Sequence, residues 1–229
     1  METIDMIIKS STEFYNDLNA DEHDRYRSWE HCYSHFMAAR KENDVNLDYL
    51  SLQLAFYLAS WGMYRGSSFL LQKDYRVHIA VVREILSKKY DSLAGIECKV
   101  FKNETNQKLL KEINEFIANY YDEIRREVRS SVQKNNLSET LITKILMGTL
   151  GCVPAYDRYF VKGIRSQKIA GGTYNIKSIL QLVDFYEKNI EQLDSVQKNF
   201  IVADMLYPQI KILDMGFWKI GFDLDNKKY

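Results

Sequence analysis

Apolar residues recur at three- and four-residue spacing along most of this chain of 229 residues. The longest run extends from Thr105 to Asn136 and keeps this spacing for about six helical turns. Its apolar positions are Leu109, Ile113, Phe116, Ile117, Tyr120, Ile124, Val128 and Val132. Only the stretch from Ile96 to Phe101 has the composition of a strand. The pattern therefore predicts an all-α protein with one long amphipathic helix in this region.

Capping residues and glycines divide the chain into about nine predicted helices. The most apolar of them, from Asp48 to Gly62, is predicted to be the central buried helix. Further helices are predicted to begin near Asp74, Ser138, Ala155, Asn175 and Ser195, with Pro208 beginning or kinking the last one and Gly151 and Gly221 as helix stops. No internal repeat, low-complexity segment or flexible linker is found. We therefore expect one compact domain over residues 1–229, with room for two helical lobes and a cleft between them.

The charges balance, with 31 basic and 31 acidic residues, so the net charge favours neither nucleic acid nor a membrane as a partner. Three cysteines, Cys32, Cys98 and Cys152, are odd in number and widely spaced, which is typical of free thiols in a reducing compartment. The N-terminal residues lack the features of a signal peptide, and the longest apolar segment is too short to span a bilayer. These features predict a cytoplasmic protein without a membrane partner.

The segment GTLGCVPAYDRYFVKG, residues 148–163, combines helix-ending and helix-starting signals around one carboxylate. Gly151 is predicted to end one helix, and Pro154 prevents that helix from continuing. Asp157 then lies in the first turn of the next helix, where free backbone N–H groups keep a carboxylate ionised and fixed. Two interpretations stay open at this point. Asp157 is either a residue that stabilises the helix start or a carboxylate that takes part in chemistry.

The longer segment TLITKILMGTLGCVPAYDRYFVKGI, residues 140–164, resembles part of the helix-hairpin-helix DNA glycosylases. In that superfamily a helix with a lysine leads into a Val-Pro-x-Asp turn and then into a basic, aromatic helix. Asp157 matches the aspartate and Lys144 matches the lysine. The resemblance implies that Lys144 attacks the sugar C1′ while Asp157 stabilises the positive charge that develops, chemistry that a desolvated lysine and a fixed carboxylate can perform.

The resemblance also implies DNA as the partner, and a basic run after the turn agrees with it. Between residues 158 and 177 there are five basic residues and no acidic one. The predicted phosphate contacts are Arg158, Lys162, Arg165, Lys168 and Lys177. Three features of the sequence differ from the family. Residues 133–141 contain no glycine where the family has a Gly-rich hairpin, the spacing from Lys144 to Asp157 is shorter than in the family, and Tyr156 is inserted before Asp157.

A second segment, DRYRSWEHCYSHF, contains two further candidate sites. Arg25 and His31 are separated by five residues, which is similar to the Arg-x(4–6)-His motif of HEPN ribonucleases. Those are small all-α proteins, and the resemblance implies an RNA-cleaving site made by two copies of the chain. His31 and His35 lie one helical turn apart with Cys32 beside them. No third ligand is evident, so we predict no metal and no cofactor.

Two other features of the sequence have structural or non-enzymatic interpretations. The segment that contains Arg65 follows the predicted central helix and is interpreted as a helix stop followed by a serine cap, or as a place where Arg65 joins a polar network or contacts a phosphate. Near the C-terminus, Leu213, Phe217 and Ile220 share one helical stripe, with Trp218 close by. That stripe predicts core packing or a homodimer face first and a ligand-binding surface second, and it makes a helical interaction protein a further hypothesis.

Overall fold

The computed structural model describes residues 2–128 and 137–226. The fold is all-α, as predicted, and the described residues contain eleven α-helices, nine of which have eight or more residues. The helices are α1 (Thr3–Ala20), α2 (Ser28–Ala39), α3 (Leu47–Ser60), α4 (Ile79–Ile85), α5 (Cys98–Phe101), α6 (Glu104–Val128), α7 (Glu139–Thr149), α8 (Arg158–Ser166), α9 (Ile176–Lys188), α10 (Ile190–Gln197) and α11 (Gln209–Asn226). Short 3₁₀ turns lie at Arg25–Arg27, Phe69–Gln72, Tyr75–His78 and Lys88–Leu93.

The strand predicted at Ile96–Phe101 is wrong, because most of this segment forms the short helix α5. A lone strand has no partner for its backbone N–H and C=O groups, so helical turns satisfy them better. Among the described residues, the strands are β1 (Ile201–Val202) and β2 (Met205–Leu206), which pair antiparallel with Ile201 opposite Leu206. They are too short to give an alternating pattern in the sequence.

Several predicted helix boundaries are confirmed. The long amphipathic helix is α6, and its predicted apolar position Val132 lies outside the described residues. The central apolar helix is α3, although Phe56 is 60% exposed on its outer side. Ser138 occupies the N-cap position of α7. Gly151 ends this helix with a φ of +62°, and its N–H donates to the Leu146 carbonyl at 2.9 Å, as expected for a left-handed helix stop.

Other boundaries differ from the prediction. The helix expected near Ala155 begins at Arg158, and Ser195 lies inside α10. Asn175 caps α9 as predicted, but a break at Asn189 separates α9 from α10. Pro208 directly precedes α11, which agrees with one of its two predicted roles. Gly221 is not a helix stop, because it lies within α11.

Gly221 instead allows α11 to cross α8 at very short range. A Cβ atom on Gly221 would lie 1.9 Å from the Tyr159 carbonyl oxygen, and one on Gly163 would lie 2.0 Å from the carbonyl oxygen of Phe217. Only glycine fits at these two positions, so the backbones of the helices touch. The other side of α11 packs against α1, and the buried apolar side chains form one contiguous core from Ile4 to Ile220. The crossing brings the start of α8 beside Trp218.

Candidate active site

The turn between α7 and α8 is buried and is fixed by hydrogen bonds to α7 and α11. Residues 151–156 are all buried. The N–H of Ala155 donates to Asp214 of α11 at 2.9 Å, and the N–H of Tyr156 donates to the Thr143 hydroxyl of α7 at 2.9 Å. These bonds hold the turn between two helices, so the position of Asp157 depends on both.

Asp157 is the N-cap of α8, so it directly precedes the first turn in which the sequence analysis placed it. Its Oδ1 accepts hydrogen bonds from the backbone N–H groups of Tyr159 at 3.0 Å and Phe160 at 3.1 Å. Its Oδ2 accepts a hydrogen bond from the indole Nε1 of Trp218 at 3.2 Å. The carboxylate therefore stabilises the helix start, and the same bonds fix its second oxygen in one direction.

Lys144 meets that second oxygen. Its side chain is buried on α7, and its Nζ lies 3.4 Å from Asp157 Oδ2. The same Nζ donates to the Trp61 carbonyl at 2.9 Å. Burial lowers the pKa of Lys144, while the charge of Asp157 opposes that shift. The structure thus brings together the two residues that the sequence suggested as a pair.

A cavity of about 570 Å³ opens above the Lys144–Asp157 pair, with aromatic side chains on several sides. The rings of Tyr26 and Trp61 lie 4.6 Å apart, those of Trp61 and Trp218 lie 6.0 Å apart, and Phe222 stacks on Trp218 at 5.0 Å. The aromatic residues of its lining are Tyr26, Trp61, Tyr64, Tyr159, Trp218 and Phe222. Such a wall can hold a flat ring by stacking.

Three arginines also line the cavity, namely Arg25, Arg65 and Arg158. The guanidinium of Arg25 lies 4.6 Å from the centre of the Tyr26 ring, and that of Arg158 lies 4.4 Å from the centre of the Tyr159 ring. Arg65 is exposed, and its positive charge contributes to the lowered pKa of Lys144. The cavity therefore has cationic groups beside its aromatic wall.

The predicted basic run is distributed over a wider surface than the cavity. Arg158 is its one member among the cavity-lining residues. Arg158 and Lys162 both pair with Asp225 of α11, at 3.3 Å and 2.6 Å. The Arg165 Nε donates to the Gly171 carbonyl at 2.9 Å, and Lys168 and Lys177 are exposed.

The two residues of the second candidate motif differ in their position relative to the cavity. Arg25 lines the cavity, whereas His31 is exposed on α2 and is not a lining residue. His35 contacts Tyr49, with its Nε2 at 3.0 Å from the phenol oxygen. In the described parts of the chain, no three His, Cys, Asp or Glu side chains form a group that could hold a metal ion.

The C-terminal stripe belongs to the core. Leu213, Phe217 and Ile220 are buried by the chain itself, which agrees with core packing, the first of their predicted roles. Trp218, one residue along, and Phe222 are the residues of α11 that line the cavity. Behind the cavity α11 contributes a second buried ion pair, in which Lys211 Nζ lies 2.8 Å from Asp214.

Sequence reasoning missed the walls of the cavity. Tyr26, Trp61 and Trp218 come from three distant segments, and no spacing in the sequence relates them. A partial signal existed in the high aromatic content, with sixteen Tyr, eleven Phe and three Trp. It shows that aromatic residues are abundant, but only the packing of α3 and α11 shows where they meet.

Comparison with known proteins adds no further identification. No protein-family model, curated protein or solved structure matches the chain. Within the described residues, no helix combines the length and apolar character that a membrane crossing requires.

Proposed function

We propose that this protein removes a base from DNA, with Lys144 as the nucleophile and Asp157 as the carboxylate that stabilises the developing positive charge. One observation carries the proposal: the buried Lys144 Nζ lies 3.4 Å from an Asp157 oxygen at a cavity with aromatic walls. A buried amine beside a fixed carboxylate is the combination that covalent catalysis at an electrophilic carbon requires.

The chemistry follows from the two side chains. The glycosidic bond between C1′ and the base nitrogen breaks, and its electron pair leaves with the base. Positive charge then develops on C1′ and the ring oxygen, where a preorganised carboxylate stabilises it. The Lys144 Nζ lone pair forms the new bond to C1′. The first proton that Nζ releases neutralises the departing base. The C1′–O4′ bond then breaks as the nitrogen lone pair forms the C=N bond, and the second Nζ proton passes to O4′, which leaves an imine between Lys144 and C1′.

The direction of the Lys144 pKa shift supports this role. An ammonium group has no lone pair, so the amine must be neutral when it attacks. Burial favours the neutral form and lowers the pKa of Lys144. The hydrogen bond from Nζ to the Trp61 carbonyl keeps the amine in place while the proton is absent, because a neutral amine still donates a hydrogen bond.

The cavity has the properties that an extrahelical base requires. Its volume of about 570 Å³ falls in the range of small-molecule sites. Stacking of a base on an aromatic side chain contributes about 1–3 kcal/mol, which offsets the cost of removing the base from the duplex. Arg25, Arg65 and Arg158 lie at the same cavity and supply positive charge for the flanking phosphates.

Imine trapping tests the proposal directly. The protein is mixed with a duplex that contains a single abasic site, and borohydride reduces any imine to a stable crosslink. We expect a crosslink with the wild-type protein and none with Lys144→Met. Lys219→Met is the matched control, since Lys219 lies on α11 beside Trp218 but does not line the cavity, and it should crosslink as the wild type does. Equal crosslinking by all three proteins would refute Lys144 as the nucleophile.

Base removal itself requires a separate assay. Duplexes that each carry one modified or mismatched base are incubated with the protein and then treated with alkali, which cleaves at abasic sites. We expect cleavage of at least one duplex by the wild type. Asp157→Asn should give none, although its affinity for the same duplex should be unchanged. Loss of binding in Asp157→Asn would contradict a role limited to the chemical step.

A further inference from the structure

Tyr64 lines the same cavity and belongs to a buried hydrogen-bonded chain. Its hydroxyl lies 2.7 Å from the Nε2 of His78, and the Nδ1 of His78 is hydrogen-bonded to the hydroxyl of Tyr121. His78 and Tyr121 are fully buried. The chain thus runs from the core through the imidazole to the cavity.

The imidazole has one donor and one acceptor. Burial lowers the pKa of His78 to about 3, so the ring is neutral at physiological pH. A neutral ring carries its proton on one nitrogen only. Two arrangements are therefore available, and they differ in the direction of every hydrogen bond in the chain.

Burial of Tyr121 distinguishes the two arrangements. Across residues 2–128 and 137–226, His78 is its hydrogen-bond partner and no other is found. If Nδ1 carried the proton, the Tyr121 O–H would be buried without an acceptor, which is costly. If Nε2 carries the proton, Tyr121 donates to Nδ1 and the Nε2–H donates to the Tyr64 oxygen. Every hydrogen-bonding group of the buried His78 ring and the Tyr121 hydroxyl then has a partner.

When Nε2 of His78 carries the proton, the hydroxyl proton of Tyr64 is not used within the hydrogen-bonded chain. The Tyr64 oxygen already accepts from His78, so its own O–H is directed elsewhere, and Tyr64 has no other hydrogen-bond partner among the described residues. Burial raises the pKa of Tyr64 to about 12, so the proton stays on the oxygen. The side chain lines the cavity, and an acceptor there can take this hydrogen bond.

We propose that Tyr64 is a specificity residue that donates its hydroxyl proton to a carbonyl oxygen of the bound base, with His78 and Tyr121 as positioning residues that fix the direction of this donor. The choice of a base as ligand rests on the proposed function. The direction of the donor rests on the hydrogen-bonded chain and on the neutral imidazole of His78, and not on the proposed function. A carbonyl suits the cavity because its arginines are donors as well, so the unused polar groups there call for acceptor atoms.

The direction of the chain is measured by nitrogen NMR of the full protein labelled at histidine. Protonated and unprotonated ring nitrogens have clearly different chemical shifts. We expect Nε2 of His78 to carry the proton and Nδ1 to be unprotonated at pH 7. A protonated Nδ1 would overturn the proposal whether or not the protein acts on DNA.

The ligand atom is tested with two duplexes that differ at one base. One contains hypoxanthine and the other contains unsubstituted purine, which lacks the O6 carbonyl. Affinities are measured by fluorescence anisotropy in the Lys144→Met background, so that chemistry does not interfere. We expect hypoxanthine to bind about threefold to tenfold more tightly, as one neutral hydrogen bond allows.

Tyr64→Phe should abolish that preference while Tyr75→Phe keeps it, because Tyr75 bonds to Asp48 and does not line the cavity. The two duplexes also differ in base-pair strength, but this difference affects every variant equally. It therefore cancels when the affinity ratio of one variant is compared with that of another. A preference that is absent, or that survives in Tyr64→Phe, would overturn the assignment of the carbonyl. If neither duplex binds, the proposed function fails with it, while the NMR result still decides the donor direction.

Discussion

Lys144 Nζ and Asp157 Oδ2 lie 3.4 Å apart, and in the sequence the two residues flank the buried turn that joins α7 to α8. Each partner is held by further bonds, Lys144 to the Trp61 carbonyl and Asp157 to Trp218 and two backbone N–H groups. The distance between the two groups is therefore set by α7, α8, α11 and the C-terminal end of α3, and not by the two side chains alone. Preorganisation of this kind lets a carboxylate act without rearrangement.

The two roles of Asp157 can be separated by mutation. Asparagine is as good an N-cap as aspartate, whereas alanine is not, so Asp157→Ala should lower the free energy of unfolding by about 1 kcal/mol more than Asp157→Asn does. Both variants should lose base excision. Urea denaturation gives the stabilities, and equal values for the two variants would show that the cap contributes nothing.

The rate of imine trapping on abasic DNA should rise with pH. Burial holds the pKa of Lys144 below its usual 10.5, so the neutral, reactive fraction should reach its plateau before that pH. Asp157 opposes this shift, and Asp157→Asn should therefore move the profile to lower pH. Trapping rates between pH 5 and 10 provide the check. A profile with its midpoint at the pKa of free lysine would contradict a buried nucleophile.

Gly221→Ala should destabilise the protein by about 1–3 kcal/mol, the usual cost of overpacking. Its new methyl group would lie 1.9 Å from the Tyr159 carbonyl oxygen, so α8 and Asp157 must move away from Trp218. We expect imine trapping to fall in the same variant. Gly171→Ala is the matched control, because nothing lies within 4 Å of its Cβ position, and its unfolding free energy should stay within about 0.5 kcal/mol of the wild type.

His78 should make the protein less stable in acid. Its folded pKa of about 3 is below the ordinary 6.5, so the unfolded chain takes up a proton in this window while the folded chain does not. Stability is thus lost as the pH falls from 6.5 towards 3. Between pH 7 and pH 4 the loss from this group amounts to about 3 kcal/mol.

His78→Gln isolates that contribution, since glutamine can replace both hydrogen bonds without titrating. Guanidinium denaturation at pH 7 and pH 4 should show a smaller acid loss in the variant than in the wild type. Identical losses would mean that His78 is protonated in the folded protein, and the argument for the direction of the Tyr64 donor would then lose its basis.

Arg65 and Lys177 allow a comparison of two surfaces for DNA. Arg65 lines the cavity, whereas Lys177 is an exposed residue of the predicted basic run on α9. If the DNA backbone passes over the cavity, Arg65→Ala should weaken binding to all duplexes and reduce the slope of log affinity against log salt by about 1. Lys177→Ala should leave both quantities unchanged. The opposite result would place the DNA on the basic run.

Local signals explain which parts of this fold were predictable. Gly151, Ser138 and Asn175 act within their own helical turns, so the chain around them is enough to identify their roles. The helical period of α6 is likewise local. Gly221 was misjudged because its meaning depends on Tyr159, a residue of another helix, and no helix-ending pattern distinguishes a stop from a close crossing.

In the candidate site, too, local sequence identified some residues, whereas others depend on the packing of distant segments. Lys144 and Asp157 flank one turn, so a short segment was sufficient to suggest them together. The cavity walls required the packing of α3 and α11 around that turn, which brings Trp61, Trp218 and Tyr64 to one place. Arg25 was associated with His31 by spacing in the sequence, and the fold instead places it with Lys144 and Asp157.

The packing of α1 against α11 has a consequence for synthesis on the ribosome. Trp218 reaches the cavity from the last helix, and that helix is held by the first one. A nascent chain that still lacks α11 leaves α1 without its partner and Asp157 without its indole hydrogen bond. Pairing of segments so distant in sequence is slow to form. The emerging polypeptide therefore has no complete cavity until translation has passed α11.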